Sequence, residues 1–307
     1  MPRTKAVAVL GAIFAIVAIL LVNSVRDHQE APAATPGLKD HTTHTDTLAR
    51  MPSGTAAPQA ALHKDPLGSL ARSYLATRAD TVSAAVYDLD THQTWVIGHS
   101  RPQAEASVVK LDILDTLLAQ HTKRGGLSEN DRVLAQLMIE DSDNNAATDL
   151  WNAVGGAPGI RSFNKNVDLV DTVPSNCVVC SGFPWPGWGL TTTIPADQIA
   201  LLRETVQPDG LLTSAERTYA LRLMENVAPE QRWGVSGGVP LQATVALKNG
   251  WLPLNQAGTD WQINSVGWIS GLGRNYLMAV LTTGNSTESY GIDTIDGLSA
   301  LVWRRMG

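Results

Sequence analysis

The chain reads as an α/β (α+β) protein: a five-stranded antiparallel sheet carrying an inserted helical lobe. Three observations predict this. Strand-like runs occur near both ends of the ordered part, helical periodicity fills the middle, and the last segment is again helical. Such a segregated order of strands and helices belongs to the α+β and α/β classes. No internal repeat is present.

The elements run in this order. Thr81–Leu89 and Gln93–Ile97 are rich in β-branched and aromatic residues, with Asp90-Thr91-His92 between them, so they read as a hairpin. From Ser107 to about Gln120, Leu111, Leu114 and Leu118 recur at spacings of three and four, the pattern of a half-buried helix. Val133, Leu134, Leu137 and Met138 repeat it. Ala147, Leu150, Trp151 and Val154 continue it until Gly155-Gly156. Asp171 to Leu190 is rich in Pro, Gly and Trp without periodicity and reads as a long loop; Trp185 and Trp188 lie in it. Helices resume at Pro195, a favoured first helical position, and at Thr213-Ser214-Ala215-Glu216, a capping-box pattern. Ala243–Leu247, Gln262–Ile269 and Tyr276–Thr283 read as strands, and Glu288–Trp303 as a closing helix.

The N-terminal part has a different character. Arg3 and Lys5 precede an apolar run from Ala6 to Val22, at the short edge of the ~17–25 residues that span a bilayer. Residues 1–24 are expected to be an uncleaved signal-anchor or a cleaved signal peptide, a buried core helix being the remaining alternative. Basic residues before the run place the rest of the chain on the extracytoplasmic side, membrane-held or secreted. Residues 25–66 are dominated by Pro, Ala, Thr and His and read as a flexible linker; 67–307 is the folded domain. The net charge is −6 with no long basic run, which excludes nucleic acid as the main partner. Charged residues are 17% and hydrophobic residues 44%, which excludes disorder along the whole length. The histidines His41, His44 and His63 are scattered in the linker, and no metal or other cofactor is expected. The two cysteines, Cys177 and Cys180, form a C-x-x-C. In an oxidising compartment they are expected to pair, with free thiols or redox or metal chemistry as alternatives.

Three polar motifs carry the chemistry. Ser107-Val108-Val109-Lys110 opens the first helix of the lobe. Residues three apart share a helix face, so Lys110 can reach the Ser107 hydroxyl, a weak nucleophile that needs a base. Ser142-Asp143-Asn144 sits between two helices, and Lys248-Asn249-Gly250 ends an apolar strand. Each alone is ordinary: an N-cap serine, a helix cap, a turn. Together and in this order they resemble the motif set of class A β-lactamases and penicillin-binding proteins. The resemblance covers about residues 67–307, including Thr191-Thr192-Thr193-Ile194-Pro195, similar to the exit of the family's omega loop, and Leu281-Thr282-Thr283-Gly284, similar to the end of its last strand.

The resemblance implies a β-lactamase/transpeptidase-like fold and an acyl-serine mechanism. It implies Ser107 as nucleophile, Lys110 as proton acceptor, and Ser142 as relay to the leaving nitrogen. Asn144 would hold the substrate amide, and Lys248 would supply positive charge. The backbone N–H groups of Ser107 and Trp251 would form the oxyanion hole. Asn249, Gly250 and Arg232 would line the substrate site, Arg232 pairing with a carboxylate or else standing as a solvated surface residue. The implied substrates are β-lactams or related amides. The competing readings are a penicillin-sensitive DD-peptidase-like enzyme acting on peptidoglycan-type substrates and a non-catalytic wall-binding or sensor domain. A monomer is expected, touching the membrane only through its N-terminal segment.

Three departures stand out. Asn249 replaces the family's usual Thr or Ser, and the gap between the first two motifs is short. No Glu occurs from Asp141 through Arg203, where the β-lactamases carry the base that activates the deacylating water. Val173 or a neighbour aligns with that position, and Asp171 is either a structural loop carboxylate or a substitute for the missing base.

Overall fold

The computed structural model describes residues 64–122, 125–180, 186–255 and 257–307. The predicted N-terminal segment 1–24, most of the linker and Trp185 lie outside the described residues. Among the described residues no helix is long and apolar enough to cross a membrane.

The chain enters through α1 (Ser69–Leu75), an element too short for sequence periodicity to reveal, and forms β1 (Thr81–Asp88) and β2 (Thr94–Ile97). A two-residue strand β3 (Gln103–Ala104) leads into a 3₁₀ turn over 106–108 that runs straight into α2 (Val109–His121). The lobe continues with α3 (Glu129–Glu140), α4 (Asn144–Ala153) and α5 (Gly156–Asn166), then a long loop, β4 (Thr192–Thr193), α6 (Pro195–Val206) and α7 (Ser214–Glu225). The chain returns to the sheet as β5 (Thr244–Pro253), β6 (Trp261–Gly271) and β7 (Arg274–Asn285) and ends in α8 (Glu288–Arg305).

The strand order is β2-β1-β7-β6-β5, antiparallel throughout, so both ends of the fold share one sheet, as expected. The sheet is buried on both faces, which is why its strands read as continuous apolar runs. Alternate residues serve different cores. Ala85 and Tyr87 of β1, Ala246 of β5 and Leu277 and Ala279 of β7 join α2, α4 and α6 in the lobe core. Their neighbours Ala84, Val86, Leu247, Met278 and Val280 pack with α1 and α8 on the opposite face.

The helix starts obey local chemistry. Thr213 and Glu216 complete the expected capping box, and Pro195 is the first residue of α6. Asp143 caps α4 by accepting from Ala146 N at 2.7 Å. α4 ends at Ala153, just before Gly155-Gly156 as expected, and a separate helix, α5, follows for which there was no expectation from sequence. The chain breaks there and re-forms, with Pro158 tolerated in the first turn and Ala157, Ile160 and Phe163 buried at threefold spacing.

Candidate active site

Ser107 lies in the 3₁₀ turn at the head of α2, half-buried where the sheet edge meets the lobe. Several contacts hold this turn. β3 pairs with β4, Glu105 N donates to Thr191 O at 2.8 Å, and Asn264 Nδ2 donates to the carbonyls of Ala104 and Glu105 at 2.8 and 3.0 Å. β5 presses on it directly. A Cβ placed on Gly250 would lie 2.7 Å from Ser107 N and 2.8 Å from Val108 N, so only glycine lets the strand approach this closely. Ala106 has φ of 51° and Ser142 φ of 55°, left-handed conformations that non-glycine residues rarely adopt and that cluster at functional sites. Neither carries a signal in the sequence.

The three motifs converge. Lys110 Nζ contacts Ser142 O at 2.6 Å, Ser142 Oγ at 3.0 Å and Asn144 Oδ1 at 2.8 Å. Lys248 Nζ reaches the same Ser142 Oγ at 3.0 Å, and its own strand's Asn249 O at 2.9 Å. Both lysine side chains are fully buried. Burial, with the neighbouring Lys248 charge second and Asp143 opposing, lowers the Lys110 amine to about 6. Burial lowers Lys248 to about 7. Lys110 stands on the helix of Ser107, but its amine hydrogen-bonds to Ser142 and Asn144 rather than to the Ser107 hydroxyl.

Not every expected site residue enters this group. Asn249 is completely buried, and its Nδ2 donates to Gln231 O and Trp233 O at 2.7 and 3.1 Å. Strand alternation turns it to the face opposite Lys248, so it braces the 231–233 segment and does not line the substrate cleft. Arg232 is exposed, and its guanidinium donates to Glu225 O at the end of α7. Asp171 is exposed, and Val173 is 55% exposed with its backbone paired to Thr192.

The loop instead presents Trp188, which sequence placed in the loop without a role. Its ring centroid lies 5.0 Å from Lys110 Nζ, and its Nε1 donates to Thr148 Oγ1 at 3.1 Å. Cys177 and Cys180 form the expected disulfide. It covers Gly187: a Cβ there would lie 2.5 Å from Cys180 Sγ and 2.9 Å from Cys177 Cβ, and Gly187 N donates to Cys177 O at 2.8 Å. The disulfide thereby sets the turn that delivers Trp188. A cavity of about 70 Å³ opens beside Ser107, lined also by Asn144, Trp188, Trp251 and Leu252.

Glu105 is a further buried group without a sequence signal. It is fully buried, neither carboxylate oxygen has a hydrogen-bond partner among the described residues, and burial, then Asp112 and Asp197, push its carboxyl well above the usual range.

Residues 121–306, more than half of the chain, match the sequence profile of the Beta-lactamase enzyme family. The chain belongs to this family. It is a family of β-lactamase-like serine hydrolases. "Putative lipoprotein LppW" of Mycobacterium tuberculosis is 29% identical over 207 residues, as is its namesake in Mycobacterium bovis. The match spans 65% of this chain and 62% of those relatives, less than two thirds of their length. Among solved structures, the TLA-1 extended-spectrum β-lactamase superposes with a TM-score of 0.70 at 18% identity, covering 78% of this chain and 98% of that one. PBP-A superposes with a TM-score of 0.65 at 21% identity, covering 78% and 96%. These likenesses show the fold: the sheet and the helical lobe are those of a class A β-lactamase.

Proposed function

We propose that this protein is an acyl-serine hydrolase acting on β-lactams or related amides, with Ser107 as the nucleophile. The observation that carries the reading is Ser142 Oγ held 3.0 Å from both Lys110 Nζ and Lys248 Nζ, Lys110 being one helical turn from Ser107. Burial lowers both amines toward neutrality, Lys110 to about 6 and Lys248 to about 7, so Lys110 is the more readily neutral of the two and suits the role of proton acceptor. Ser107 Oγ attacks the carbonyl and its proton passes to neutral Lys110. Ser142 Oγ carries it on to the departing nitrogen while the Lys248 cation holds Ser142 and the substrate's anionic end. The Ser107 and Trp251 N–H groups take the developing oxyanion, where one such donor contributes about 3 kcal/mol in other hydrolases. Asn144 orients the acyl amide. Gly250 keeps β5 close to Ser107.

A second reading, a DD-peptidase-like enzyme that penicillins acylate and block, is favoured by the loop. The group facing Lys110 is the Trp188 indole, and no Glu lies between Asp141 and Arg203. A leucine-to-glutamate variant of PBP-A has been captured as an acyl-enzyme with penicillin G. The lipoprotein name of the mycobacterial relatives supports an extracytoplasmic, membrane-associated setting for this chain too.

Intact-mass spectrometry after incubation with a fluorescent penicillin tests the reading. An adduct of one penicilloyl group is expected, and Ser107→Ala should abolish it. An adduct that persists in the variant places the nucleophile elsewhere.

A further inference from the structure

We propose that the cavity beside Ser107 seats a short, neutral, apolar acyl group, so that the preferred substrates are esters or amides of small uncharged acids. The inference rests on the acyl-serine reading and adds to it the class of acyl group. It is carried by what surrounds the cavity. Besides Ser107 and Asn144, the walls include Pro186, Trp188, Leu190 and Leu252, and among the described residues no charged side chain lines the cavity. Neither Lys248, which serves the leaving-group side, nor Arg232 lines this cavity. Lys248 is fully buried on Ser142 and its own backbone, and the Arg232 guanidinium is committed to the end of α7.

Lys110 does not line the cavity: its amine lies 5.0 Å from the Trp188 ring centroid and is hydrogen-bonded to Ser142 and Asn144. A carboxylate on the acyl side would therefore lose its hydration without gaining a partner, which disfavours it strongly. An apolar chain gains by leaving water against Trp188 and Leu252. About 70 Å³ is roughly half the ~150 Å³ that holds a benzene ring in a closed apolar cavity, so the walls surround a group near butyryl in size, and a longer chain runs out of the open mouth without further contact.

Trp188 is then a specificity-determining residue. Its position is fixed by the Thr148 hydrogen bond and by the disulfide-covered turn at Gly187, so the wall is rigid. In the test reaction Ser107 Oγ bonds to the acyl carbon, the ester C–O bond breaks, and p-nitrophenolate leaves with the electron pair. The hydroxyl proton passes to Lys110, and water later hydrolyses the acyl-serine to the free acid.

Purified protein would be assayed with p-nitrophenyl acetate, butyrate, decanoate and hemisuccinate, the last matching butyrate in length but ending in a carboxylate. The expected kcat/KM for butyrate exceeds that for hemisuccinate by about tenfold or more, as pocket discrimination usually allows, and decanoate gains nothing over butyrate. Trp188→Ala should collapse the butyrate-to-hemisuccinate ratio, and Trp188→Phe should keep most of it. Ser107-dependent turnover with hemisuccinate equal to butyrate overturns the pocket while leaving the nucleophile in place, and so does a ratio unchanged in Trp188→Ala. Turnover of every ester that survives Ser107→Ala overturns the nucleophile and the pocket together.

Discussion

At the scale of single residues, the decisive physics is the burial of two amines around one hydroxyl. In the proposed acyl-serine mechanism Lys110 must be neutral to accept a proton and Lys248 charged to hold Ser142. Acylation should therefore rise with pH through about 6 and fall as Lys248 deprotonates through about 7. The two limbs belong to the coupled pair rather than to either residue alone. Rapid-mixing acylation rates from pH 5 to 9 should give a narrow bell. Lys248→Arg, whose guanidinium stays protonated, should remove the alkaline limb; an unchanged limb would assign it to another group. Glu105 makes a separate prediction about stability. Its folded-state carboxyl titrates well above its unfolded value, so between the two the native state binds the extra proton and stability falls as pH rises. Glu105→Gln removes that titration. Its melting temperature should exceed the parent's at pH 7–8 by roughly 2–4 °C, about 1 kcal/mol for a domain of this size, and converge with it near pH 4. A constant offset at every pH would show packing rather than ionisation. Neither lysine's state nor Glu105 was legible in the sequence, because burial depends on partners far along the chain.

At the scale of elements, the pattern of polar motifs was legible and their side-chain directions were only partly so. Ser-x-x-Lys at a helix start and Ser-Asp-Asn at a helix junction carry their geometry with them, since i,i+3 spacing and an N-cap fix directions locally. Lys248-Asn249-Gly250 does not. On a strand, consecutive side chains face opposite ways, and with Lys248 committed to the lobe side, Asn249 must turn to the far face. The loop was the least legible element, having no periodicity, and what organises it is the Cys177–Cys180 pair over Gly187. Closing so short a loop removes limited chain entropy, about 2 kcal/mol. Reduction, or the double replacement Cys177→Ser with Cys180→Ser, should lower the melting temperature by roughly 4–8 °C. It should also loosen Trp188, seen as a shift in tryptophan emission. Protein exported to an oxidising compartment should resist alkylation until reductant is added. Both thiols reacting without reductant would mean that no disulfide braces the loop.

At the scale of the whole molecule, the fold was legible because its layers repeat one rule. Apolar strands near both chain ends close one sheet, and the helices between them cover one face of it. That closure places Ser107 at the seam between the sheet edge and the lobe, where three motifs distant in sequence can meet. It also decides what else reaches the seam, and this governs the reaction cycle. In the proposed mechanism acylation needs a nucleophile, a proton acceptor and an oxyanion site, the roles given there to Ser107, Lys110 and the Ser107 and Trp251 N–H groups. Deacylation needs a water aimed at the acyl carbonyl and a base for its proton. The loop supplies the Trp188 indole against Lys110, while Asp171 and Val173 are turned toward solvent. A positioned general base contributes about 10²–10⁴-fold. With penicillins or a chromogenic cephalosporin the acyl-enzyme should accumulate, giving a burst of one product per enzyme and then a rate slower by that order. Stopped-flow absorbance measures both phases in one trace. A linear course with high turnover would mean that another group activates the water, and the dry indole face at Lys110 would then not limit the cycle.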